Sequence, residues 1–98
     1  MKILAFEMEV PGLPDDAFEL HLRNEAARAW ELHQAGVVRE LYFRDDRPEA
    51  VLVLECDSLD AAEEALGTLP LVQNGLIRFE LIPLRPYPGF ARLFATDR

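Results

Sequence analysis

The order of strand-like and helix-like segments constrains this chain more than any other feature. Four segments have the alternating or β-branched and aromatic composition of strands, and two have apolar residues at helical spacing. The strand segments are 2–10, 37–43, 50–56 and 76–84, and the helical segments are 14–35 and 58–69. The pattern predicts the order β-α-β-β-α-β.

Turn and cap residues mark the ends of these segments. Pro14 suits the first turn of a helix, and Gly36 suits the position just past a helix end. The polar stretch 44–48 predicts a hairpin turn between two strands. Ser58 is a good N-cap for the second helix, and Pro70 lies just beyond its end.

This element order is typical of the α+β, ferredoxin-like fold, in which a four-stranded antiparallel sheet carries both helices on one face. The chain of 98 residues suits one domain that spans residues 1–98. The other sheet face is then left bare. From the alternation we expect it to carry Ile3, Ala5, Glu7, Val51, Val53 and Glu55.

A bare apolar face predicts self-association. A domain of this size buries only about two-thirds of the surface that its unfolded chain exposes. We therefore expect a second copy to cover this face with its own bare face. The result would be a homodimer in the form of a dimeric α/β barrel, or a higher oligomer. The tail, residues 85–98, contains Tyr87, Phe90, Leu93 and Phe94, and we expect it to dock on a neighbouring subunit.

Charge and composition exclude several functional classes. The chain has 18 acidic and 10 basic residues, a formal charge of −8, whereas nucleic-acid binding needs clustered Lys and Arg. No apolar run is long enough to span a membrane. The single cysteine, Cys56, cannot form an internal disulfide, and no His or Cys cluster has metal-ligand spacing. We therefore expect a cytoplasmic protein that binds a small molecule, without a metal.

Glu25 is the most informative residue of the first helix. At about 100° per residue it falls within the apolar arc formed by Phe18, Leu22, Ala29 and Leu32. This position aims a carboxylate at the sheet. His21 and Arg28 lie four residues before and three after it, close enough to interact with it.

Arg39 is the second charged residue at an apolar position. Alternation along the second strand places it on one side with Val37, Leu41 and Phe43. Glu25 and Arg39 are then expected to meet in a partly desolvated pocket. The pair would serve proton transfer, or it would be an ion pair that only holds helix against sheet.

Two aromatic residues are candidates for contact with a substrate. Trp30 lies on the first helix and Tyr42 on the second strand. Such side chains stack on flat ligands, but they also anchor packing and interfaces. Arg28 is a further candidate for substrate binding.

Several features together resemble the muconolactone delta-isomerase family. They are the helix that carries Glu25, the stretch 36–41 with its Gly-x-x-Arg-x-Leu pattern, residues 69–71 at the end of the second helix, and the Arg-Pro pair at 85–86. The resemblance runs over residues 3–86. It implies a dimeric α/β-barrel protein in a higher oligomer.

The resemblance also implies an activity. Such a protein is a cofactor-free isomerase that moves a double bond within an unsaturated lactone from aromatic degradation. Glu25 would be the base, and Arg39 would stabilise the developing anion. Two alternatives stay open: a cofactor-independent monooxygenase of the same superfamily, with Trp30, Tyr42 and His21 around its cleft, or a non-catalytic ligand-binding or interaction module.

Overall fold

The computed structural model describes residues 1–95. It contains four strands and three α-helices, with single 3₁₀ turns before α1 and after β4. In chain order they are β1 (Lys2–Glu9), the turn Glu19–His21, α1 (Leu22–Gln34), β2 (Val38–Phe43), β3 (Ala50–Glu55), α2 (Leu59–Leu66), α3 (Pro70–Gln73), β4 (Ile77–Leu84) and the turn Gly89–Leu93. The predicted α+β class is confirmed.

The strands form one antiparallel sheet in the order β2-β3-β1-β4, as the ferredoxin-like fold requires. The main core lies between this sheet and the helices. Leu32 of α1 and Leu66 of α2 pack there against Ile3 and Leu54, which are fully buried. Both longer helices therefore cover the same face of the sheet, and no helix within residues 1–95 covers the opposite face.

The first helix begins later than its sequence pattern predicts. We expected a helix over residues 14–35, but α1 begins at Leu22 and isolated turns precede it. In these turns the N–H of Ala17 donates to the carbonyl of Pro14, and the N–H of His21 donates to that of Phe18. Ala17 and Phe18 pack against a second small core around Leu71. Residues 14–21 therefore form turns that pack on this small core and do not extend α1.

The second helical segment is divided into two helices. Ser58 caps α2 as expected, because its hydroxyl accepts a hydrogen bond of 3.0 Å from the N–H of Ala61. The helix ends at Leu66 rather than at Leu69. Pro70 does not merely follow the helix but begins α3, where a residue without an N–H fits the first turn.

The expected composition of the bare sheet face is wrong for β1. Ile3 pairs with Leu54 and Ala5 with Leu52, and residues directly opposite in antiparallel strands point to the same face. Ile3 and Ala5 are 0% exposed beneath the helices, and Glu7 follows them on that side. The bare face instead carries Leu4, Phe6, Met8, Val51, Val53 and Ile82.

A β-bulge changes the predicted faces of β2. The register shifts between Val38 and Glu40, so that Arg39 is the extra residue. Val38 is therefore buried and lies on the helix side of the strand, the side of the more exposed Leu41 and Phe43, although simple alternation placed it opposite them. Arg39, as the extra residue, has no partner in the register with β3 and is exposed.

The tail leaves the sheet after Leu84. Residues 85–95 form an exposed segment with one 3₁₀ turn, Gly89–Leu93. The expected docking of residues 85–98 on a neighbouring subunit stays a prediction, and residues 96–98 lie outside the described part of the chain. Within the described part, no helix is long and apolar enough to span a bilayer.

Candidate functional site

A cavity of about 260 Å³ lies between α1 and the sheet. Its walls are apolar side chains from α1, three strands and the segment around α3, with two acidic residues among them. An apolar cavity with a few polar groups is the usual form of a small-molecule site. The lining residues are Glu7, Leu22, Glu25, Ala26, Ala29, Leu41, Phe43, Ala50, Leu52, Leu69, Leu71 and Phe79.

Glu25 lies in this cavity, on the side of α1 that its helical spacing predicts. Its Oε1 accepts a hydrogen bond of 2.9 Å from the backbone N–H of Leu71, a residue 46 positions away in sequence. Burial raises the pKa of the Glu25 carboxyl, and the Leu71 N–H and the charge of His21 lower it again. The side chain is thus held in position while its proton affinity stays above that of an ordinary glutamate.

Glu7 is the second carboxylate of the cavity. Burial raises its pKa to about 7, and the charges of Glu9, Glu49 and Glu25 act in the same direction. Only the backbone N–H of Ala50 opposes them. Glu7 has no ion-pair partner among residues 1–95, whereas Glu49 nearby is bridged by arginine side chains. A half-buried, unpaired carboxylate destabilises the fold, which makes it a functional candidate.

Sequence reasoning missed Glu7 because both rows of side chains on β1 are apolar before it. The row Ile3-Ala5-Glu7 has smaller side chains than the row Leu4-Phe6-Met8, and the smaller row proved to be the buried one. The one sequence signal for Glu7 as a site residue was its position, because this carboxylate ends an otherwise apolar row of side chains on the central strand β1. Only the pairing of Ile3 with Leu54 shows which row faces the helices.

Arg39 and Glu25 do not form the expected pair. The Nε of Arg39 donates to the carbonyl of Gly36 at 2.6 Å, and the part of the chain described contains no ion pair between Arg39 and Glu25. Arg39 instead lines a groove of about 400 Å³ that shares Ala26 and Leu41 with the cavity. Arg39 is the extra residue of the bulge in β2, so strict alternation along the strand does not give the direction of its side chain.

The remaining sequence candidates are divided between different surfaces. Trp30 lies in the groove with Arg39, and its ring is 5.6 Å from that of His33. Arg28 does not line the cavity, since its Nε donates to the hydroxyl of Thr68 at 2.8 Å. Tyr42 lies on the bare sheet face, where its hydroxyl donates to Glu40 at 2.7 Å.

Two other features of the molecule lack the properties of a site. A groove of about 450 Å³ follows β1, but its carboxylates are both exposed, Glu9 at the end of β1 and Asp15 on the loop after it. Residues 1–95 contain no group of three or more His, Cys, Asp or Glu side chains placed to hold a metal ion. The cavity with Glu7 and Glu25 is therefore the best candidate. It can accept a proton at one carboxylate and release one from the other.

Comparisons with known proteins support the fold assignment. No protein-family model and no curated protein matches the chain. The crystal structure of muconolactone isomerase matches it with a TM-score of 0.71 and 22% identity over 100% of both chains. A 5-chloro-2-hydroxyhydroquinone dehydrochlorinase from Burkholderia phenoliruptrix AC1100, in complex with 2,5-dihydroxybenzoquinone, matches with a TM-score of 0.61 and 18% identity. That match covers 87% of this chain and 94% of the other. The ferredoxin-like fold of the single chain is thereby confirmed.

Proposed function

We propose that the protein is an isomerase that moves a double bond within a small unsaturated lactone, with Glu25 and Glu7 as its proton-transfer groups. The observation that carries this proposal is the presence of two half-buried carboxylates in one apolar cavity. A carboxylate pair whose surroundings act differently on the two pKa values is suited to separate acid and base roles.

Glu25 is assigned as the base. The Leu71 N–H and the charge of His21 both favour its ionised form. In the proposed reaction Glu25 takes a proton from the ring carbon beside the lactone carbonyl, and the C–H electrons move into a dienolate. Its position on α1 and the contact with Leu71 keep the carboxylate aimed into the cavity.

Glu7 is assigned as the acid. With a pKa of about 7 it holds a proton in about half of the molecules at neutral pH. It gives this proton to the far carbon of the dienolate, which completes the shift of the double bond. Glu25 then carries the proton and Glu7 is ionised, so the two carboxyls exchange a proton before the next turnover. Because both carboxyls line one cavity, the proton has only a short distance to travel between them.

The adjoining groove is assigned to the substituents of the ring. Arg39 makes no ion pair within residues 1–95, and it lies beside Trp30 at the edge of the cavity. A carbonyl or carboxylate oxygen on the substrate would face Arg39, and Trp30 would cover a flat substituent. Arg28 and Tyr42 are left out of this assignment, because they interact with Thr68 and Glu40 elsewhere.

The structural neighbours support a ring compound as substrate. One is a muconolactone isomerase, and the other is a dehydrochlorinase bound to a dihydroxybenzoquinone. Proton transfer at a ring carbon serves both a double-bond shift and an elimination. The compounds to be tested as substrates are therefore unsaturated lactones and chlorinated hydroxyhydroquinones. Product spectra measure the double-bond shift, and released chloride measures the elimination.

The test compares the wild type with Glu25→Gln and Glu7→Gln in an ultraviolet assay run partly in D₂O. Each variant should lose about a hundredfold or more in turnover, the range for removal of a general acid or base. The product should also gain solvent deuterium. Glu80→Gln is the matched control, since Glu80 is an exposed strand residue on the opposite face of the sheet. Equal turnover in all four proteins contradicts the roles of Glu7 and Glu25.

The second part of the proposal is a homodimer formed through the bare sheet face. Leu4, Phe6, Val51 and Val53 form a continuous apolar surface at the centre of this face. Pairing it with the same surface of a second copy would form a dimeric α/β barrel. Val53→Glu should convert the dimer into a monomer in light-scattering measurements. Glu80→Gln, at the edge of the same face, should leave the dimer intact.

A further inference from the structure

The cavity between α1 and the sheet contains acidic side chains and no basic one. Ten of its twelve lining residues are apolar, the other two are Glu7 and Glu25, and none is Lys, Arg or His. The charge of Glu25 raises the pKa of Glu7, so the two carboxylates are close enough to repel each other. His21 acts on Glu25 from outside the lining. No side chain that lines the cavity neutralises its negative charge.

The surroundings of Glu7 are acidic on every element that acts on it. Burial has the largest effect on its pKa, and the charges of Glu9, Glu49 and Glu25 raise the pKa further. Only the backbone N–H of Ala50 favours the ionised form. Glu49 forms ion pairs with arginine side chains, whereas Glu7 forms none within residues 1–95. The positive partner that Glu7 lacks in this part of the chain can be supplied by a ligand.

The two carboxylates also have hydrogen-bond acceptors to spare. Oε1 of Glu25 accepts from the N–H of Leu71 at 2.9 Å, and its Oε2 accepts no hydrogen bond within residues 1–95. The Glu7 carboxylate has only the N–H of Ala50 as a partner there. A primary ammonium group carries three N–H donors and one positive charge. It therefore matches the free acceptors and the charge of the cavity together.

The walls of the cavity suit an organic cation better than a metal ion. Phe43 and Phe79 are among the lining residues, and the faces of aromatic rings attract ammonium groups. A hard metal ion instead takes about six or more oxygen ligands, and residues 1–95 contain no group of three or more ligating side chains. The volume is about 260 Å³, whereas an apolar cavity of about 150 Å³ already holds benzene. One ring with a short amino substituent thus fits.

From these observations we propose that the cavity binds a small organic cation, a primary ammonium group on a single apolar ring, with its N–H donors directed at Glu7 and Glu25. The inference rests on the site of the proposed isomerase but not on its reaction. The ring of the amine fills the volume that the lactone would occupy. A bound amine therefore excludes the lactone, and amines of this class regulate the site by competition.

Calorimetric titration with benzylammonium tests the proposal without any assay of turnover. Benzyl alcohol is the neutral probe of nearly the same shape, and benzoate is the anionic one. At pH 8 benzylammonium should bind about tenfold or more tightly than benzyl alcohol, because its hydrogen bonds join charged groups, and benzoate should not bind. Glu7→Gln should lose most of this preference for the cation. Glu80→Gln, the matched control on the opposite face, should keep it.

The pH dependence of binding gives a second measurement. Alkylammonium groups resemble the Lys side chain and stay protonated at pH 5 and at pH 8. Glu7, with a pKa of about 7, is mostly protonated at the first value and mostly ionised at the second. Wild type should therefore bind benzylammonium about tenfold or more tightly at pH 8 than at pH 5. The affinity of Glu7→Gln should change less.

Three results would overturn the proposal. They are the absence of benzylammonium binding, equal affinity of wild type for benzylammonium and benzyl alcohol, and a preference for the cation that survives in Glu7→Gln. The last result would mean that the cation binds elsewhere on the acidic surface. Failure of the lactone assay leaves the calorimetry unaffected, so the two proposals fail separately. If lactone turnover is found, benzylammonium should raise KM and leave kcat unchanged.

Discussion

Replacement of Glu7 by glutamine is predicted to stabilise the protein above neutral pH while it removes activity. An ionised carboxylate in an apolar cavity lowers the free energy of unfolding, because folding takes the charge out of water without a partner. Glutamine has nearly the same shape and no charge, and its side-chain oxygen can still accept from the N–H of Ala50. The substitution therefore removes the charge and keeps the packing.

The magnitude follows from the pKa. Burial moves the pKa of Glu7 from 4.5 to about 7, and one pKa unit corresponds to about 1.4 kcal/mol. In this interval the folded state holds the proton and the unfolded state does not, so stability falls as pH rises. The penalty is absent below about pH 4.5 and reaches roughly 3 kcal/mol above pH 7, a large share of the 5–15 kcal/mol typical of a domain.

Urea denaturation at pH 5 and pH 8 measures this effect. The free energy of unfolding of wild type should be lower at pH 8, and that of Glu7→Gln should change less between the two values. The difference between the proteins should be small at pH 5 and about 3 kcal/mol in favour of the variant at pH 8. Glu80→Gln supplies the control for a simple change in net charge, because Glu80 is exposed on the opposite face of the sheet.

The reasoning would be refuted by a Glu7→Gln protein that is less stable than wild type at both pH values. It would also be refuted by parallel pH profiles for the two proteins, since the charge of Glu7 would then cost nothing on folding. A protein that gains stability and loses turnover through one substitution has the trade-off that is characteristic of functional residues.

Three further substitutions test the structural account. Ser58→Ala should lower the free energy of unfolding by about 1 kcal/mol in urea, because the N–H of Ala61 loses its cap. Leu54→Ala should lower it by about 2–5 kcal/mol, since this side chain is fully buried and leaves a cavity; a smaller loss in thermal unfolding would contradict the assigned core. Arg28→Gln should reduce stability by less than about 1 kcal/mol and leave turnover unchanged, because its partner is Thr68 and not the cavity.

Local sequence signals predicted the elements of this fold well. The period-2 pattern before residue 10, the Ser58 cap and the polar hairpin turn each depend on neighbours within a few positions. Element ends were predicted less well where distant packing decides them. Phe18 belongs to a helical pattern, but its contact with the core around Leu71 holds it in a turn before α1.

The candidate site was predicted only in part. Helical spacing alone aimed Glu25 at the sheet, and there it meets the N–H of Leu71, which no local pattern indicates. Arg39 was expected beside it, because strict alternation along β2 takes no account of a bulge. Glu7 was placed on the wrong face for a related reason, since a strand with two apolar rows does not show which one is buried.

The sequence by itself determined the order of the elements, the helix caps and the presence of a carboxylate on the inner face of α1. These properties follow from backbone geometry and side-chain spacing within one segment. The tertiary structure decided the register of β1 against β3, the bulge at Arg39 and the entry of Glu7 into the cavity. Such properties depend on which distant strand supplies the hydrogen bonds, and a shift of one residue sends every side chain to the other face.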